Sequence, residues 1–382
     1  MKIVVAPDSF KGSLTALEAA SAIEEGVKLA MPDATIVKVP MADGGEGTLQ
    51  ALVDATKGTF VECMVQGPAG APVKASYGVL GNATTAVVEM AQAAGLPLVA
   101  DGAYDPMEAT SYGVGELIRA VVDAGFRRVV IGLGGSATVD GGIGAMQALG
   151  FSFKDEEGSE VSSNGRGLCS LVDIDRSSSH KAIETTEFIV ASDVNSPLLG
   201  EGGAVHLFGP QKGVSPDDIE ELERAMERYS LLLGKGIADI RGAGAAGGLG
   251  AACFALLGAK IVVGVDLVAG EVGLARHLEN ADVVITGEGS VDSQTVRGKT
   301  PAGVAAWAKK KKIPVIAIGG AVPTEPDGLH ACGIDALFSL SPRPITLDES
   351  KKHAKKYLSA VSRQIVHTIK IGIDHEAQLV SD

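Results

Sequence analysis

Short aliphatic runs recur along the chain, and most are followed by a longer segment with apolar positions at helical spacing. Lys2–Ala6 and Thr35–Val39 read as strands, and Thr15–Ala30 and Gly45–Thr56 as the helices after them, with Ser13 or Thr15 available to cap the first. Such alternation predicts a parallel sheet, because a crossover helix lets consecutive strands run the same way. The rhythm breaks at 59–66, 71–80 and 84–89, three strand-like runs separated by Gly67-Pro68 and Gly81-Asn82. Connections that short predict antiparallel pairing.

A helix at 112–124, a strand at Arg128–Ile131, a polar stretch at 154–180, a strand at Glu187–Ala191 and a charged helix at 216–233 follow. Near residue 259 the alternation returns. Lys260–Val265, Ala281–Thr286, Ile313–Ile318 and Ala336–Ser339 read as strands, and Thr300–Lys312 and 347–370 as helices. The order predicts an α/β protein of two domains. One is a Rossmann- or flavodoxin-like parallel-sheet domain built from both chain ends, 1–60 plus 260–382; the other is an inserted mixed α/β domain at 61–259.

Composition narrows the function classes. The 382 residues carry a net charge of −14, a poor match to nucleic acid or an anionic membrane. Aromatic residues are only 4% of the chain, so the core must be aliphatic, while 50 glycines without a collagen period point to tight turns and close backbone approaches. The four cysteines form no Cys-x-x-Cys pair, which argues against structural zinc and a disulfide framework. The opening MKIVVAPDSF has its apolar run cut short by Asp8, and so reads as a strand instead of a signal peptide. No run of about 18 apolar residues exists to span a membrane. A cytoplasmic enzyme is the expectation.

The chemistry concentrates in glycine-rich loops between strand ends and helix starts, the edge at which open α/β sheets bind ligands. The first loop offers Asp8, Ser9, Lys11 and Ser13; the second, Pro40–Thr48, offers Asp43 and Glu46 as hydroxyl acceptors or holders of a hydrated Mg²⁺. Gly134, Gly135, Ser136 and Thr138 form a candidate phosphate nest of exposed backbone N–H groups and hydroxyls. Asp193 follows a strand and could accept a hydroxyl proton, and Lys212 could meet a phosphoryl group. Glu288, Asp292 and Lys299 mix acid with base beside a helix start, which suits a metal–phosphate ligand better than a bare anion.

Two fingerprints compete. Gly242, Gly244 and Gly247 spell G-x-G-x-x-G, with Asp266 at the expected distance of about 20 residues, so an NAD-dependent dehydrogenase stays open. Gly298-Lys299-Thr300 matches the end of a Walker A loop, but Ser293 stands where its first glycine is required. No G-x-S-x-G or H-E-x-x-H motif is present.

Taken together, APDSFKGSL at 6–14, PMADGGEGT at 40–48, GLGGSAT at 132–138, GAVHLFGPQKG at 203–213, GAGAAGGLG at 242–250 and ITGEGSVDSQT at 285–295 closely resemble the glycerate kinase family of the bacterial glycolate and glucarate pathways. The resemblance runs nearly end to end. It implies ATP-dependent, Mg²⁺-assisted phosphorylation of D-glycerate, with 2-phosphoglycerate favoured over 3-phosphoglycerate, in a cleft between two α/β domains. On that basis Asp193 and then Asp43 are the candidates to position or deprotonate the hydroxyl. Lys11 and Lys212 would bind the carboxylate or the moving phosphoryl group. The loops at 134–138 and 242–250, with Gly244 and Gly247, would hold ATP phosphates. Glu46, Glu288 and Asp292 would form the metal-binding or acidic wall, with Lys299 beside it. Val139 and Ser196 depart from the family pattern, which usually has Asn before Asp140 and Asn-Pro after Val194-x. A non-catalytic sugar-acid-binding protein is the other alternative, and a homodimer stays open.

Overall fold

The computed structural model describes residues 1–99, 104–192, 196–292, 295–325 and 327–381. The strands in chain order are β1 (Lys2–Val5), β2 (Thr35–Lys38), β3 (Thr59–Gln66), β4 (Pro72–Val79), β5 (Ala86–Glu89), β6 (Arg128–Gly132) and β7 (Ser152–Lys154). They continue with β8 (Asp173–Asp175), β9 (Glu187–Ser192), β10 (Lys260–Val263), β11 (Val283–Ser290), β12 (Val315–Ala321) and β13 (Ala336–Ser339). By internal packing the chain divides into two compact units. The first is Met1–Asp43, Gln50–Thr56 and Val265–Asp382, and the second is Gly44–Leu49 and Lys57–Gly264.

The first unit holds a parallel five-stranded sheet in the order β13-β12-β11-β1-β2. Buried β1 and the start of β11 lie at its centre, with Ile3 opposite Val283 and Val5 opposite Ile285, so their sequences are continuous apolar runs with no alternation. From β1 the chain moves to β2 on one side; it later returns at β11 on the other side and continues outward to β12 and β13. The topological switch point therefore lies between β1 and β11.

Helices Ala16–Ala30 and Leu347–Ser381 pack on this sheet through Ala19, Ile23, Val27, Leu358 and Ile365. They approach closely at Gly26, where a Cβ would stand 2.1 Å from the Ser359 carbonyl oxygen. Thr15, not Ser13, caps the first helix. Its hydroxyl accepts from the Glu18 N–H at 3.2 Å, while the Glu18 carboxylate accepts from the Thr15 N–H at 2.9 Å.

The second unit carries a mixed six-stranded sheet in the order β10-β9-β6-β5-β4-β3. The expected antiparallel run is present: β3 pairs with β4, and β4 with β5, both antiparallel. From β5 to β10 the pairing is parallel. The polar stretch at 154–180 contains β8, paired with β7 in a small antiparallel ribbon, and the helix Gly165–Ser170. An aliphatic core of Val88, Ile118, Val121, Ile131, Val190 and Leu249 lies beneath this sheet and its helices.

Several boundaries differ from the sequence reading. The second helix begins at Thr48, three residues after Gly45, because positive-φ Gly44 and Gly47 keep the preceding segment in turns. The strand read as Lys260–Val265 ends at Val263, and Val265 lies in the helix Gly264–Glu271. The last helix continues past 370 to Ser381.

Candidate functional site

In the first unit, Asp8 follows β1 and Glu288 lies near the end of β11, so the two carboxylates bracket the switch point. Asp8 is buried. One of its oxygens accepts from the Ser9 N–H at 2.6 Å and the other from the Thr300 hydroxyl at the start of helix Thr300–Lys309. Burial, reinforced by the negative charges of Asp43 and Glu288, pushes the Asp8 carboxyl up to about 7 against the pull of those two donors. Asp43 is likewise buried.

Glu288 Oε1 accepts from the Thr295 hydroxyl at 2.7 Å, and Lys299 Nζ lies 4.0 Å from Oε2. Burial raises the Glu288 carboxyl; Thr295 and Lys299 oppose the rise, and Asp43 and Asp292 add to it. The predicted acidic wall at 288–292 thus includes a buried carboxylate beside a half-buried lysine. Lys11 is exposed at the tip of the first loop. Ser13, expected to face phosphate, instead donates its hydroxyl to the Lys351 carbonyl at 2.7 Å.

In the second unit, Lys212 is almost completely buried, at 3% exposure. Its ammonium donates to the Ser136 hydroxyl and to the Thr138 carbonyl, each at 2.7 Å. Burial pulls it down to about 7, partly offset by the charge of Asp140. This contact brings Lys212 and the 134–138 loop, read separately from the sequence, into one cluster and joins residues 74 and 76 positions apart.

Asp140, buried behind the loop, accepts from the Ser111 N–H at 2.8 Å, the Ser111 hydroxyl at 2.7 Å and the Gly142 N–H at 3.0 Å. Burial raises its carboxyl and these donors hold it down. Val139 fills the core at 0% exposure and so contributes packing.

The glycines sort into two kinds. Gly134 lies against the preceding loop: a Cβ there would stand 2.4 Å from Gly45 Cα. Gly135 is exposed and adopts φ +75°. Gly244 and Gly247, expected to hold phosphates, are buried against backbone: a Cβ would come within 2.1 Å of the Pro197 and Thr138 carbonyl oxygens respectively. Close packing accounts for both glycines. Glu46 is exposed. Asp193 lies outside the described residues.

The dinucleotide reading is overturned. The G-x-G-x-x-G segment follows the short 3₁₀ turn Ile237–Asp239 and no strand, and Asp266 sits within a helix, accepting from Trp307 Nε1 at 2.9 Å. Among the described residues, no group of three or more His, Cys, Asp or Glu side chains is placed to hold a metal ion. Magnesium is commonly held by one or two carboxylates together with substrate phosphates, and the acidic set here fits an ion that arrives with a nucleotide. Among the described residues, no helix is long and apolar enough to cross a membrane.

Sequence reasoning did not single out Glu89, Ser111 or Thr295 as site residues. Glu89 left a signal, an acid ending the apolar run Ala86–Val88. The other two are hydroxyls whose partners are remote in sequence or hidden within a loop.

Residues 3–370 match the glycerate kinase family. The chain is 47% identical over 376 residues to the glycerate kinase of Bacillus subtilis, covering 97% of this chain and 98% of that one. It is 45% identical over 377 residues to the glycerate 2-kinase of Escherichia coli, covering 98% and 99%. The crystal structure assigned to a glycerate kinase 2 of Salmonella typhimurium LT2 superposes with a TM-score of 0.88 at 45% identity, covering 98% of this chain and 99% of that one.

Proposed function

The chain belongs to the glycerate kinase family, a phosphotransferase acting on an alcohol group, and from that premise we propose that it transfers the γ-phosphoryl group of ATP to the 2-hydroxyl of D-glycerate. The match over residues 3–370 carries the reading. Neither the dehydrogenase nor the non-catalytic binding protein has support. A cytoplasmic location follows from the same reading.

Phosphoryl transfer asks a protein mainly for positioning and charge neutralisation. Lys212 Nζ, held on Ser136 and Thr138, lies beside the 134–138 loop, where a phosphate would favour its charged form and where exposed Gly135 permits close approach of phosphate oxygens. Asp8 combines burial with an anionic neighbourhood, so its carboxyl takes up a proton near neutral pH. That property suits a group that accepts the proton of a substrate hydroxyl. Asp193 and Asp43 remain the other candidates for that role, and Lys11, exposed on the Asp8 loop, is assigned to the glycerate carboxylate. Glu288 and Asp292 would hold the magnesium ion, which when bound neutralises charge on the transferring phosphates.

The test is ADP release with D-glycerate, ATP and Mg²⁺, with the product identified by ³¹P NMR. Phosphorus coupled to the proton on C2 supports the 2-kinase reading; coupling to the C3 protons replaces it with a 3-kinase. Absence of turnover by the folded protein would refute the assignment.

A further inference from the structure

Ala86, Val87, Val88 and Glu89 are all buried, and Glu89 ends β5 with only 3% exposure. Its Oε2 accepts from the backbone N–H groups of Gly47, at 3.2 Å, and Leu49, at 3.0 Å. These amides lie where helix Thr48–Thr56 begins. A helix start is the natural seat for an anion, because its first N–H groups lack intrahelical partners. Here a carboxylate from within the protein fills it.

The segment so held is itself pressed against the candidate phosphate loop. In the parallel ladder Glu89 stands opposite Gly132. A Cβ on Gly132 would meet the Gly44 carbonyl oxygen at 3.3 Å and Glu89 Cγ at 3.8 Å. Two residues on, Gly134 touches the backbone of Gly45 and Glu46. Glu89 therefore clips Gly44–Leu49 in place while Gly132–Gly134 rests directly on it.

We propose that Glu89 is a positioning residue that sets the phosphate loop at 134–138 through its hydrogen bonds to Gly47 and Leu49, and reserves the start of helix Thr48–Thr56 from substrate phosphate. This rests on the kinase reading above for its activity readout, not for its geometry. At these two bonds one oxygen, Oε2, takes both N–H groups, which an amide oxygen can also do.

The test compares Glu89→Ala and Glu89→Gln in the full chain. Glu89→Ala should lose roughly 10- to 100-fold in kcat/KM for ATP, the scale expected when a loop shifts by about an ångström. Added formate, a small carboxylate able to occupy the vacated space, should restore part of that activity. Glu89→Gln should stay close to the wild type. Amide hydrogen exchange at Gly47 and Leu49 should be faster in Glu89→Ala than in Glu89→Gln, and should slow on adding formate.

Equal losses in the two variants would overturn the proposal, since the charge itself would then be what matters. So would unchanged kinetics in folded Glu89→Ala. If Glu89→Ala does not fold, Glu89→Gln decides alone: wild-type kinetics and exchange support the clip, and lost activity in a folded protein overturns it. If the wild type shows no glycerate turnover, the kinase reading fails separately and the exchange comparison still decides the role of Glu89.

Discussion

The hydroxyl of Thr300 donates to the carboxylate of Asp8, joining residues 292 positions apart in the chain. The contact exists because β1 and β11 are neighbours in the sheet, which brings the loop after one to the helix start that follows the other. It also supplies one of the two hydrogen bonds that lower the Asp8 carboxyl against its burial.

Asp8 should therefore limit stability at neutral pH. Its folded carboxyl is raised to about 7 from 3.8, so the native state binds more protons than the unfolded chain between those values. Stability from this group is thus lost as pH rises from about 4 to about 7. Asp8→Asn should unfold at higher denaturant than the wild type, with an advantage that grows across that window to about 1–3 kcal/mol and levels off above it. Urea melts at several pH values check this; an advantage independent of pH would remove the assignment. The same variant should lose most of its kinase activity.

Lys212→Met removes the ammonium shared by Ser136 and Thr138. Loss of one preorganised donor to transferring charge costs about 10²- to 10³-fold, and kcat/KM for ATP should fall on that scale. Steady-state kinetics at saturating glycerate measure it, and a change below threefold would take Lys212 out of the phosphate site.

Gly134 and Gly135 should respond differently to alanine. Gly134→Ala drives a methyl into Gly45 backbone at 2.4 Å, so the two loops must separate; it should destabilise by about 2–3 kcal/mol and sharply reduce activity. At Gly135 the nearest atom is Ala91 Cβ at 3.5 Å, and only the φ of +75° is unfavourable. Its cost should be about 1–2 kcal/mol. Thermal melts of both variants decide between local strain and loop contact.

Asp140→Asn replaces a buried acceptor of Ser111 and Gly142 donors with an amide that must turn an N–H toward one of them. The expected cost is about 2–3 kcal/mol. A melt matching the wild type would show that the loop does not depend on this network.

Much of the architecture was legible in the chain. Period and turn chemistry read strands at Lys2–Ala6 and Ile313–Ile318, where the structure has Lys2–Val5 and Val315–Ala321, and located the antiparallel run from Thr59 to Glu89 and the charged helix Pro216–Leu233. These are local signals: apolar runs for strands buried on both faces, glycine and proline at reversals, Thr15 with Glu18 at a helix start. The glycine loops were equally visible, because polar residues clustered with glycine at strand ends stand out against an aliphatic sequence.

Tertiary structure decided what each loop does. The glycines at 244 and 247 share their spelling with a dinucleotide site, yet they lie against the Pro197 and Thr138 carbonyls, since the segment before them is a 3₁₀ turn and not a strand. Lys212 became a buried donor to Ser136 only when two distant loops met. Glu89 looked like the last residue of an ordinary strand until pairing placed it opposite Gly132 and under the amides of Gly47 and Leu49. A sequence records which residues have the chemistry to bind, but desolvation and hydrogen-bond partners arise only from packing between segments far apart in the chain, and those determine which residues are poised to use it.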